Sequence, residues 1–116
     1  DHIIKSLVFM ADRGRKPGYD PVLVIVTGDR QVDERKLAEL LRTEDVRMAD
    51  PEEVHDATGF RIGGVPPVGT GLPKIVDEAV MAKDTVYGGG GSDDRIIELD
   101  PRFIVGEDDL VRDVTV

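Results

Sequence analysis

Cysteine and tryptophan are absent from this sequence, and histidine occurs only as His2 and His55. Without cysteine there are no disulfides, thiolate nucleophiles or cysteine-based zinc sites. Only three Phe and two Tyr are present, so any core must be built from Val, Ile and Leu. No apolar run approaches the roughly 18 residues needed to cross a bilayer, and no secretory pattern opens the chain. A cytoplasmic location without a membrane partner is the expectation. Positive charge is scarce as well: 15 Lys and Arg stand against 24 Asp and Glu, for a net charge of −9. Such a chain repels polyanions and is a poor nonspecific nucleic-acid binder.

The charge is uneven, however. From Ser92 onward Asp93, Asp94, Glu98, Asp100, Glu107, Asp108, Asp109 and Asp113 face only Arg95, Arg102 and Arg112. The opening residues hold Lys5, Arg13, Arg15 and Lys16 against Asp1 and Asp12. A local basic patch on an acidic protein is therefore available.

Common catalytic kits are missing too. There is no GxSxG elbow, GxxxxGK[ST] loop or HExxH pair, and Ser6 and Ser92 have no evident histidine partner. His55 reads as a surface residue beside Asp56. Glu52–Glu53 and Asp108–Asp109 fit solvated helix starts better than a carboxylate dyad. Neither a metal nor a cofactor is expected.

What is present is one domain of 116 residues. IIKSLVFMA (Ile3–Ala11) and PVLVIVTG (Pro21–Gly28) read as buried, mutually antiparallel strands joined by the turn-rich Arg13–Asp20. Asp33 caps a helix carrying Leu37, Leu40 and Leu41, and Val46–Ala49 is a short strand. Asp50 as N-cap, Pro51 at the first helical position, Glu53 and a stop at Gly59 define a second helix. Leu72–Glu78, Thr85–Tyr87 and Arg95–Leu99 read as strands, with at most two helical turns at Glu78–Lys83. GGGG followed by SDD makes a hairpin loop. DPRFIV and EDDLVRDV read as short helical pieces. The pattern predicts an α+β fold: a mixed, curved sheet or small barrel of about six strands with short flanking helices.

Two features carry chemistry. TGFRIGGVPPVGTG (Thr58–Gly71) combines glycines, which allow close approach to the main chain, with Pro66–Pro67, which stiffen it. Lys5 places a charge inside an apolar strand, where it must reach solvent or an anion.

With KSLVF, VLVIVTGDRQVDERKLAELL, MADPEEV, TGFRIGGVPPVG, LPKIVDE and the glycine turn before IIEL in this order, the chain resembles YbaK-type proteins. These are free-standing aminoacyl-tRNA deacylases related to the editing domain inserted in bacterial prolyl-tRNA synthetases. The resemblance covers essentially residues 1–116 as one domain and implies a mixed barrel. It also implies that the family's usual N-terminal helical segment is missing here. The implied activity is hydrolysis of mischarged aminoacyl-tRNA, with aminoacyl-tRNA and an aminoacyl-tRNA synthetase as partners. The alternative is a noncatalytic tRNA- or synthetase-binding module of the same fold.

By this resemblance Lys5 contributes to activity at the tRNA 3′ end, and Gly63, Gly64, Val65, Pro66, Pro67, Val68 and Gly69 hold the aminoacyl group through their backbone. The late glycine turn, Gly89 and Gly90, completes the pattern. Some members carry an aspartate where Ile96 stands; Asp93 or Asp94 is the nearest substitute. The amides of Gly64 and Gly69 are the expected oxyanion donors, and Arg13, Arg15 and Lys16 the expected tRNA contacts. An aminoacyl ester is already labile, so positioning and oxyanion stabilisation suffice without a nucleophilic side chain. Alanine, cysteine, serine and threonine all fit a small pocket.

Overall fold

The computed structural model describes residues 2–12, 18–91 and 95–116. β1 (Ile4–Asp12) and β2 (Tyr19–Thr27) form a long antiparallel pair in which Ile4 faces Thr27 and Asp12 faces Tyr19. α1 (Glu34–Leu41) follows, with the Asp33 carboxylate accepting from the Arg35 and Lys36 amides. β3 (Val46–Met48) pairs antiparallel with the far end of β1, at Phe9–Ala11. α2 (Pro51–Thr58) carries the full capping box of Asp50 and Glu53 and stops at left-handed Gly59. β4 (Lys74–Asp77) runs parallel to β2 and leads into the single turn of α3 (Glu78–Met81). β5 (Val86–Gly89) and β6 (Ile96–Leu99) make a separate hairpin, and a 3₁₀ turn at Pro101–Phe103 precedes β7 (Leu110–Arg112). The main sheet is thus mixed, in the order β3-β1-β2-β4-β7.

β2 reads as an unbroken apolar run because both of its faces are covered. Leu23 and Ile25 join Ile4, Val8 and Val76 beneath Val54 of α2, with Val65 and Val86. Val22, Val24 and Val26 join Phe9 and Ile75 beneath Leu37 of α1 and Val114. Each such side chain contributes about 1.5–3 kcal/mol on burial, so these two layers fix the sheet rigidly under whatever sits on its edge.

The expected α+β fold around a mixed sheet is present, with seven strands among the described residues in two sheets that do not close into the barrel the resemblance implies. One further expectation needs correcting. EDDLVRDV is not helical: Leu110–Arg112 pairs parallel with Ile75–Asp77 along the sheet edge. Pairing with β4 outweighs the weak local helical preference. Buried Asp77 locks this arrangement, since its two carboxylate oxygens accept from the Val114 amide (2.9 Å) and the Ala79 amide (3.2 Å). That satisfies a charge that would otherwise be costly to bury.

α2 is also tied to β3 by charge. Arg47 donates two bonds to Glu53 (2.7 and 2.8 Å) while lying 4.9 Å from the centre of the Tyr19 ring. The Arg47 bond, followed by the Asp50 amide, lowers the Glu53 carboxyl from 4.5 to about 2. A depressed folded-state value stabilises above the unfolded one and is lost on acidification. The gap in thermal midpoint between the protein and Glu53→Gln is therefore expected in full near neutrality. It should close as the pH falls from 4.5 towards 2, as read by circular dichroism.

Candidate functional site

The position of the site follows from which way the backbone of β1 turns. In an antiparallel ladder the bonded residues alternate sides. The Ile3 carbonyl accepts from Gly28, which turns the odd residues of β1 towards β2. The carbonyls of His2 and Val8 accept from Tyr87 and Ala49 on the opposite edge, which turns the even residues outward. On that outer edge β5 reaches β1 at Ile3, and β3 covers Phe9–Ala11. Between them, around Ser6, no described residue pairs with the edge.

A pocket of about 120 Å³ occupies this gap. Its floor is Ile4, Ser6 and Val8, and its walls are Ala49, Val54, Gly63, Val65 and Gly89, with Met48 and Ile62 at the rim. Gly89 has to be glycine for a packing reason: a Cβ there would lie 3.2 Å from the Val65 carbonyl oxygen. The Gly/Pro loop is thus pressed directly against β5. From its other side, Lys74 Nζ donates to the Pro67 carbonyl at 3.1 Å and lies 3.6 Å from Asp109 Oδ2. That oxygen also accepts from the Gly106 amide at 2.7 Å. The loop is held in place before any ligand arrives.

The structure distributes the sequence candidates unevenly. Gly63, Val65 and Gly89 line the pocket. Pro66 and Pro67 are buried behind it, and Val68 packs on the core. Gly64 does not offer its amide, which donates to the Arg61 carbonyl at 2.9 Å to close the turn. Gly69, exposed with φ +82°, is not part of the lining. Of the loop residues, Gly63 and Val65 are the ones that line the pocket together with Ile62. Gly90 closes the β5–β6 hairpin through a bond to Arg95. Asp93, Asp94, Arg13, Arg15 and Lys16 lie outside the described residues.

Lys5 is half-buried and borders both the pocket and a neighbouring groove formed by Gly28–Val32. Strand alternation places it with Leu7 and Phe9, on the face opposite Ile4 and Val8. It reaches the pocket because it stands at the open edge. Among the described residues its ammonium makes no ion pair. His55 is exposed on α2, and His2 Nδ1 lies 3.0 Å from the Thr85 carbonyl. No group of three His, Cys, Asp or Glu suited to a metal occurs among the described residues. None of the described helices is long and apolar enough to cross a membrane.

Sequence reasoning missed Ser6, Ala49, Val54 and Ile62. Ala49 and Val54 did carry a signal: a small residue before the N-cap, and the one buried apolar position of α2.

The structure is thus an α+β domain with a small pocket at the open edge of β1, flanked by Lys5. The comparisons are specific about its class. Residues 1–105 match the aminoacyl-tRNA editing domain model. The chain is 40% identical over 100 residues to the proline–tRNA ligase of Solidesulfovibrio magneticus, covering 84% of this chain and 16% of that protein. It is 34% identical over 110 residues to the Lactobacillus acidophilus proline–tRNA ligase, covering 90% and 18%. The chain thus spans under a fifth of the length of these curated relatives. Among solved structures, a proposed trans-editing enzyme for prolyl-tRNA synthetase superposes with a TM-score of 0.85 at 34% identity, covering 99% of this chain and 71% of that one. The chain belongs to the aminoacyl-tRNA editing domain family.

Proposed function

We propose that this domain hydrolyses, in trans, the ester of tRNA mischarged with a small amino acid. The observation that carries the reading is the pocket at the open edge of β1, lined by Gly63 and Val65, beside which Lys5 makes no ion pair among the described residues. Its volume of about 120 Å³ suits a small side chain better than an aromatic one. The amides of Gly63 and Val65 face the ester carbonyl and stabilise the oxyanion that forms when water attacks. Water adds to the ester carbon, the bond to the ribose oxygen breaks, and free amino acid and tRNA leave. The Lys5 ammonium holds the anionic 3′ end of the tRNA against this site.

A second sieve of this kind has a physical rationale, because one methylene gives only about 1–3 kcal/mol of discrimination in a single binding step. A panel of tRNAs charged with alanine, cysteine, serine, threonine, proline or phenylalanine tests the reading. The expected result is release of one or more of the small residues and none of phenylalanine. Equal rates for all six would dismiss a size-selective pocket.

The tRNA body, in this reading, meets the minority basic segment containing Arg13, Arg15 and Lys16. Neutralising all three is expected to weaken tRNA binding and flatten its salt dependence by nearly one unit of slope per lost phosphate contact. A short aminoacyl-nucleotide substrate should be hydrolysed as before. Equal loss on both substrates would assign these residues to the pocket or the fold instead.

A further inference from the structure

The uncovered stretch of β1 is a strand edge missing one partner residue. Along the outer edge, His2 is bonded to Tyr87 of β5, and Val8 is bonded to Ala49 just beyond β3. Ser6 lies between them on the pocket floor. Because even residues turn outward, its N–H and C=O both point into the gap, and no described residue bonds to either. Ile4 to Val8 spans about 13 Å at the usual strand rise. That stretch holds about three residue positions at this rise, and only the middle one, opposite Ser6, meets an outward-turned N–H and C=O.

We propose that the aminoacyl group binds here as a one-residue antiparallel strand, with Ser6 as its partner. Its carbonyl accepts from the Ser6 N–H, and its α-ammonium donates to the Ser6 carbonyl. Directly paired L-residues put their side chains on the same face of a sheet. The ligand side chain therefore enters with that of Ser6, on the face of Ile4 and Val8, where Val54 and Val65 wall the pocket. A D-residue in the same pairing points to the opposite face, into the open groove beside Leu7. The direction of pairing also sets the ends. The amino group points towards Ala49, where β3 leaves the edge. The ester carbonyl points towards Ile4 and Gly89, within reach of the loop amides on its second lone pair. Selection for the L configuration is thereby built into the backbone.

The identity of this ligand rests on the hydrolase reading above, and the test separates the two. The probe is 3′-(L-alanylamido)-3′-deoxyadenosine, a non-hydrolysable amide, added to the ¹⁵N-labelled protein. Hydrogen exchange of the Ser6 amide is expected to slow at least tenfold at saturation, while that of Leu7, already turned to β2, stays unchanged. The D-alanyl analogue should bind about fourfold or more weakly, the worth of one buried methyl group, and the N-acetyl analogue, whose neutral N–H replaces a charged donor, should also bind more weakly than the L-analogue. An unprotected Ser6 amide with the L-analogue bound, or no binding at millimolar concentration, overturns the proposal. Hydrolysis of alanyl-tRNA with Ser6 unprotected keeps the deacylase and sinks the subsite; protection without hydrolysis does the reverse. Ser6→Pro removes the donor without touching the β1–β2 ladder, a position where a strand tolerates proline, and is expected to abolish binding of the L-analogue. Should that variant not fold, the exchange measurement on the unaltered protein decides alone.

Discussion

Replacing Lys5 with methionine is expected to leave the protein folded and to cut deacylation by a hundredfold or more. Methionine keeps the apolar stem that lies along the strand and removes only the ammonium. That ammonium makes no ion pair among the described residues, so its loss leaves no buried charge behind and the melting temperature should barely move. Its contribution lies instead with the substrate: a preorganised charge in a partly desolvated site is commonly worth a factor of 10²–10³ in rate. Turnover of Lys5→Met within a fewfold of the unaltered protein would remove Lys5 from the site.

Gly89→Val is expected to have the second large effect. Valine suits a strand, so local structure is not the obstacle. Its Cβ, however, would stand 3.2 Å from the Val65 carbonyl oxygen and 3.5 Å from the Gly64 carbonyl carbon, both of them main chain of the loop that Lys74 ties down at Pro67. The branches beyond it then fill the pocket. Hydrolysis should fall by roughly a hundredfold or more, about the cost of losing one oxyanion donor. A comparison in the same hairpin is available at Tyr87, whose hydroxyl donates to Glu98 Oε1 at 3.0 Å outside the pocket lining. Tyr87→Phe should cost far less. Comparable losses at both positions would mean that the hairpin, not the pocket, has been damaged.

Much of the fold was legible because local chemistry and tertiary structure agree. The Asp50–Glu53 capping box, the Asp33 cap and the apolar β1 and β2 needed no knowledge of their surroundings. β7 was not legible, since Leu-Val-Arg after a run of acids becomes a strand only through β4 at its side. The same distinction runs through the site. Lys5 was visible as a charge inside an apolar strand, and Gly63, Val65 and Gly89 through the resemblance of the Gly/Pro loop and the late glycine turn. The engagement of the Gly64 amide by Arg61, and the freedom of Ser6, depend on which way a peptide unit turns. Side-chain patterns do not encode that directly. Lys74 was hidden for another reason: a lysine in a short strand looks solvated until Pro67 and Asp109 are found around it.

The central claim is that this domain breaks the ester and does not merely hold it. Incubating it with a hundredfold excess of tRNA charged with a small amino acid, and following the charged fraction, tests this most directly. The account predicts many ester bonds hydrolysed per protein molecule and near-complete loss of that activity in Gly89→Val. A charged tRNA that binds stoichiometrically yet decays no faster than in buffer would contradict it, and would identify the domain as a binding module.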